Sequence, residues 1–102
     1  MSIHGVDTVS LGSKNGIVTA ALKIRESPGT SAQEITWQCD MPEGEPVKSI
    51  EKGKQLTVFA RTKEKNKVGK WNNYWYYVMY NPDCEDSGSI TGWVFGEFVK
   101  IK

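Results

Sequence analysis

Tyr74-Trp75-Tyr76-Tyr77-Val78-Met79-Tyr80 is the stretch that decides the fold class. Aromatic and β-branched side chains lose rotamer freedom in a helix but pack well on a pleated, half-buried surface, so the run reads as a β-strand. Period two places Tyr74, Tyr76, Val78 and Tyr80 on one face and Trp75, Tyr77 and Met79 on the other. One face is expected to pack, and the other to be partly seen by solvent.

Working outward, a polar turn from Asn81 to Ser89 leads to a second β-rich segment, Ile90-Thr91-Gly92-Trp93-Val94-Phe95. After Gly96-Glu97 the chain ends in Phe98-Val99-Lys100-Ile101-Lys102, a last short strand. Upstream, Thr62 to Asn73 carries Lys63, Lys65, Lys67 and Lys70 among Asn and Gly and reads as an exposed loop. Before it, Gln55-Leu56-Thr57-Val58-Phe59-Ala60-Arg61 alternates Leu56, Val58 and Ala60 with more polar positions, and Lys52-Gly53-Lys54 turns the chain into that strand. The first strand is expected in Gly16 to Arg25, closed by Ser27-Pro28-Gly29. Between it and Pro46 lies a long irregular connection with a short apolar patch at Ile35-Thr36-Trp37; so long a loop in a compact domain is either functional or partly paired with itself. Residues 1–15 show little periodicity and read as a loose, flexible arm outside the core. Five short strands without a helical period predict an all-β fold, a small five-stranded barrel or sandwich over residues 16–102.

At 102 residues the chain is one domain in size, and 38% hydrophobic with 25% charged residues supports a modest core. Thirteen Lys and Arg against twelve Asp and Glu leave a net charge of +1, which creates no long-range field for nucleic acid or an acidic membrane. No nucleic-acid partner and no membrane insertion are therefore expected, and the basic segment Arg61 to Trp71, which contains Glu64, reads as a solvated loop.

Chemistry-bearing residues are sparse. His4 is the single histidine and lies in the expected arm, so a Cys-His hydrolase built on Cys39 or Cys84 lacks support. Glu43, Glu45, Asp83, Glu85 and Asp86 lie in turn-rich segments, and Asp83-Cys84-Glu85-Asp86 lacks the ligand order of a calcium loop. Neither cysteine belongs to a Cys-x-x-Cys or Cys/His cluster, so no zinc or other cofactor is expected. Two readings of Cys39 and Cys84 stand side by side: a disulfide that closes a long loop, or two unrelated free thiols. No enzymatic activity is expected.

The aromatics carry more information. Four Trp, four Tyr and three Phe exceed what a small barrel encloses, so some must be exposed. The functional reading is a shallow groove between the long first loop and the Lys-rich loop, built from Trp71, Tyr74, Trp75, Trp93 and Phe98. The competing reading makes Trp93, Tyr76 and Val78 core and lets the other rings cover its edges.

Several blocks resemble the bacterial Src-homology-3-like domains in order and spacing. They are Leu22-Lys23-Ile24-Arg25-Glu26-Ser27-Pro28, Lys52-Gly53-Lys54-Gln55-Leu56-Thr57-Val58, Trp75-Tyr76-Tyr77-Val78, Thr91-Gly92-Trp93-Val94 and Phe98-Val99-Lys100-Ile101. The resemblance covers residues 16–102 and implies an SH3-like barrel with a long first (RT-type) loop. It further implies a non-catalytic module that recognises cell-wall peptide (peptidoglycan) or a protein peptide, in a periplasmic, secreted or cell-surface protein, with a monomer favoured. The alternative is a structural domain that contacts another domain or subunit of a larger envelope protein. Where the peptide-binding eukaryotic relatives carry tyrosines to grip polyproline, this chain has Lys23, Ile24 and Arg25, and Phe95 and Phe98 stand at the positions of their proline and tyrosine. Polyproline is accordingly not the expected ligand.

Overall fold

The computed structural model describes residues 2, 3, 5–37, 47–82 and 88–102. Its regular elements are β1 (Ser2–Ile3), β2 (Val6–Val18), β3 (Gln55–Thr62), β4 (Asn66–Val68), β5 (Trp71–Asn73), β6 (Trp75–Tyr80), β7 (Ile90–Phe95), a 3-10 turn (Gly96–Phe98) and β8 (Val99–Ile101). The protein is all-β. One antiparallel sheet runs β1-β2-β3-β6-β7, β8 pairs with β2, and β4-β5 forms a separate hairpin.

The sheet curls into a half-barrel whose ends are drawn together by short pairings. Arg25 bridges Trp93 of β7, Leu22 bridges Ile50, and Gly16–Val18 of β2 pair with Ile101–Val99 of β8. The segment from Leu22 to Arg25 thus closes against β7, while the 3-10 turn carries the chain from β7 to β8.

Two apolar clusters sit on opposite faces of β6 and β7. The larger gathers Val18, Leu22, Ile24, Trp37, Ile50, Leu56, Val58, Val78, Tyr80, Val94 and Val99 inside the curl. The smaller gathers Trp75, Trp93 and Phe95, with Ile3, Val6, Val68, Trp71, Tyr77 and Phe98 packed around them. The period-two reading of residues 74–80 assigns the faces correctly: Val78 and Tyr80 enter the larger cluster, while on the other face Trp75 is buried in the smaller cluster and Tyr77 and Met79 stay half-exposed. Full burial of a large apolar side chain contributes about 1.5–3 kcal/mol, which makes a two-sided strand pair a strong organising element for so short a chain.

That second cluster explains the main departure from expectation. Residues 1–15 were expected to form an arm outside the core, yet Val6–Val18 is one 13-residue strand. Thr8, Val9 and Ser10 pair with Thr62, Arg61 and Ala60, the register shifts between Ser10 and Lys14, and Lys14–Ile17 then pair with Val58–Gln55. Gly12, at φ 72°, permits the bulge. Ile3 and Val6 turn back on this strand and cover the Trp75–Trp93–Phe95 face, so apolar burial holds a segment whose own pattern is weak.

The first strand ends at Val18 rather than running to Arg25; beyond it, Leu22 makes one isolated bridge, to Ile50, and Arg25 two, to Glu34 and Trp93. The long connection is partly paired with itself: Glu26 N–H donates to Gln33 O, Ile35 N–H to Ile24 O, and Trp37 exchanges both backbone bonds with Val47. The Lys-rich segment, expected as a loop, contains the β4-β5 hairpin with Val68 opposite Trp71 and the two-residue turn Gly69-Lys70. Gly69 at φ 57° is what such a turn requires. His4, Cys39, Glu43, Glu45, Asp83, Cys84, Glu85 and Asp86 lie outside the described residues.

Candidate functional site

Between the Leu22–Arg25 segment and the β4-β5 hairpin the surface opens into a cleft of about 240 Å³. Its lining is Ala21, Leu22, Lys23, Arg25, Thr30, Val68, Trp75, Phe95 and Phe98. Each wall is fixed by an element described above. Trp75 and Phe95 project from paired positions of β6 and β7 and contact each other at 5.4 Å between ring centroids. Phe98, on the 3-10 turn, contacts Phe95 at 6.1 Å and receives Trp71 edge-on at 5.0 Å.

Backbone and polar contacts lock that arrangement. Gly96 N–H donates to Tyr74 O at 2.7 Å, Asn73 Nδ2 donates to Glu97 Oε1 at 3.2 Å, and Tyr74 N–H donates to Asn73 Oδ1 at 2.8 Å. A Cβ on Gly96 would lie 2.7 Å from Tyr74 O, so only glycine allows the 3-10 turn to sit this close to β6. Buried Thr62 works similarly at the end of β3: its hydroxyl accepts from Trp75 N–H and donates to Glu64 O, which ties the root of the hairpin to β6.

The cleft's open side is cationic. Lys23 Nζ lies 2.7 Å from Glu34 Oε1, and the Lys23 hydrogen bond holds the Glu34 carboxyl below its ordinary pKa. Arg25 Nη1 donates to Ala32 O at 2.8 Å, a contact that fixes the guanidinium while engaging a neutral carbonyl. Among the described residues no Asp or Glu lines the cleft. A second depression, of about 520 Å³, is lined by Asp7, Ser27, Pro28, Lys63, Glu64 and Lys65 among others, with charges of both signs.

The five residues expected to form a groove fall into four roles. Trp75 and Phe98 line the cleft. Trp71 flanks it through Phe98, and Tyr74 faces away, under the Arg61 guanidinium at 4.1 Å from its ring. Trp93 is 0% exposed and packs on Tyr77 at 5.2 Å, so it supports the cleft's floor from the second cluster without reaching a ligand. The indole N–H groups of Trp75 and Trp93 are buried without an acceptor among the described residues, an expense of about 1–3 kcal/mol each that ring packing must offset. Leu22, Lys23, Arg25, Val68 and Phe95 were missed as site residues, although the expected departures from the peptide-binding eukaryotic domains fell in part on Lys23, Arg25 and Phe95.

For catalysis, the described residues offer no buried nucleophile beside a base, and no group of three or more His, Cys, Asp or Glu among them is placed to hold a metal ion. No described helix is long and apolar enough to cross a membrane. Comparison with protein-family models, with curated proteins and with solved structures finds no match to this chain.

Proposed function

We propose that this chain is a non-catalytic binding module of the bacterial Src-homology-3-like type, which recognises a cell-wall peptide or a protein peptide in the cell envelope. The observation that carries the reading is the cleft itself. It is a concave surface of Leu22, Val68, Trp75, Phe95 and Phe98, sized for one or two side chains and rimmed by Lys23, Arg25 and Thr30. Support for the family reading comes from the chain order: a strand, a long self-paired connection, a three-strand antiparallel meander, a 3-10 turn, and a last strand that returns to the first. The cleft opens where the first connection approaches the Lys-rich hairpin. A purely structural role through a broad apolar face is less favoured, since Val9 is the only large hydrophobic that counts as exposed among the described residues.

The test is titration of soluble muropeptides and short apolar peptides, followed by backbone amide shifts and tryptophan emission. Shifts should cluster at Leu22–Arg25, Val68 and Phe95–Phe98. Ala21 is exposed at the cleft mouth, so Ala21→Asp should leave folding intact and weaken binding at least severalfold. Saturating peptide that moves none of these amides would overturn the proposal.

A further inference from the structure

We infer that the cleft is built for the free C-terminus of a peptide: an apolar last side chain among Leu22, Val68, Trp75, Phe95 and Phe98, and its α-carboxylate on Arg25. This inference rests on the peptide-binding reading and names the class of peptide. Among the described residues the lining holds two cations and no acid, on a chain whose net charge is only +1. Lys23 is already neutralised by Glu34 at 2.7 Å. Arg25 makes no ion pair among the described residues: its one described side-chain bond goes to the Ala32 carbonyl, and Glu34, whose carboxylate is bound to Lys23, feels the Arg25 charge only from beyond salt-bridge reach.

A guanidinium presents five donors in a planar fork, so one bond through Nη1 leaves donors for the two oxygens of a carboxylate. The side chain is half-buried and anchored at both ends. Its backbone N–H and C=O both pair with Trp93 at 2.8 Å, and its tip is held by Ala32. Such a group is pre-organised, and ligand binding need not order it. Arg25 and the apolar walls line the same 240 Å³ space, so anion and apolar group must lie within about one residue of each other. An α-carboxylate beside its own side chain meets that demand with the shortest reach. Polyproline offers no negative charge for Arg25.

The experiment compares N-acetylated Gly-Gly-Leu and Gly-Gly-Phe as free acids and as C-terminal amides, with N-acetylated Gly-Glu-Leu amide as a third arm carrying an internal acid. Amide shifts and tryptophan emission are read at low and high salt. A charge-assisted bidentate contact predicts that the free acids bind about tenfold more tightly than their amides. Arg25→Gln should reduce each acid to the level of its amide, and the acid's advantage in the unaltered chain should shrink with added salt. Equal binding of acid and amide by the unaltered chain would overturn the carboxylate inference and leave the cleft reading standing. So would an internal-acid amide that matches the free acids, which would redirect the site to acidic side chains. Failure of every peptide to shift the cleft amides overturns both. The acid–amide comparison needs no variant, so it decides the matter even if Arg25→Gln misfolds.

Discussion

Gly92→Ala should strike at the point where the first connection closes the half-barrel. A Cβ at residue 92 would lie 2.7 Å from Arg25 O, 2.8 Å from Ile24 Cγ1 and 2.9 Å from Ile35 Cδ1. The nearest of these is backbone, which cannot swing aside as the end of a flexible side chain can. Carbon and carbonyl oxygen settle no closer than about 3.3 Å in sheets, so the Arg25 strand must retreat by roughly half an ångström. The two bonds that hold it, Arg25 N–H to Trp93 O and Trp93 N–H to Arg25 O, both measure 2.8 Å and would stretch past the usual range. Overpacking of this kind costs about 1–3 kcal/mol and each weakened bond up to about 1, so a loss near 3 kcal/mol is expected. In urea, where a domain of this size has a slope of about 1–1.5 kcal/mol per molar, the midpoint should fall by about 2 M with the slope unchanged. Gly88→Ala is the control: nothing lies within 4 Å of a Cβ there, and the change should stay within about 0.5 kcal/mol. Since Arg25 is part of the cleft, residual folded Gly92→Ala protein should also bind peptide more weakly. A midpoint that moves no further than the control would refute the closure of Leu22–Arg25 against β7, and with it the geometry of the cleft.

A chain begun at Gly16 loses the pairing of Thr8–Ser10 with Ala60–Thr62 and the cover that Ile3 and Val6 provide over Trp75, Trp93 and Phe95. It should be at least about 3 kcal/mol less stable and bind a hydrophobic dye, whereas unaltered stability would mean the strand adds nothing. At alkaline pH, burial pushes the Tyr76 phenol above its ordinary value of 10, with Arg61 opposing and Tyr74 reinforcing the shift. The raised folded pKa means that its contribution is fully present below pH 10 and is lost as pH rises through the folded value. Tyr76→Phe should flatten this part of the alkaline decline in urea midpoints, and identical slopes in the two proteins would contradict the buried phenol.

How much of this was legible beforehand depended on whether local pattern and tertiary demand agreed. Residues 55–61, 74–80 and 90–95 are dense in β-formers with clear turns between them, and each became a strand. Val6–Val18 has no such density; its order comes from a sheet edge and an aromatic face that exist only after folding. The hairpin at Asn66–Asn73 had a signal that lysine content obscured, for Val68-Gly69-Lys70-Trp71 is two β-formers around a glycine-bearing two-residue turn. The aromatic surplus was read as exposure because a single core was assumed. With both faces of β6 and β7 carrying apolar clusters, Trp75, Trp93 and Phe95 are buried, while Phe59, Trp71, Tyr74, Tyr76, Tyr77 and Phe98 stay half-exposed.

That contraction of the aromatic surface sets the strength of the proposed interaction. A ligand side chain buried in a cleft of about 240 Å³ gains about 1.5–3 kcal/mol, and a carboxylate on Arg25 adds about 1.5–3 more. Association consumes several kcal/mol of this in lost translational and rotational freedom, which leaves a dissociation constant of millimolar or weaker. An isolated module of this kind is a poor capture device in solution. It becomes effective where ligand ends are dense, because a module held at a polymeric surface sees local concentrations near millimolar and gains affinity from repeated engagement without any new contact. Two copies of the chain joined by a flexible linker should therefore retain a surface dense in free peptide C-termini at least about a hundredfold better than one copy, and bind a single soluble peptide no better per site. Equal retention of one and two copies would show that the cleft does not act through repeated weak contacts.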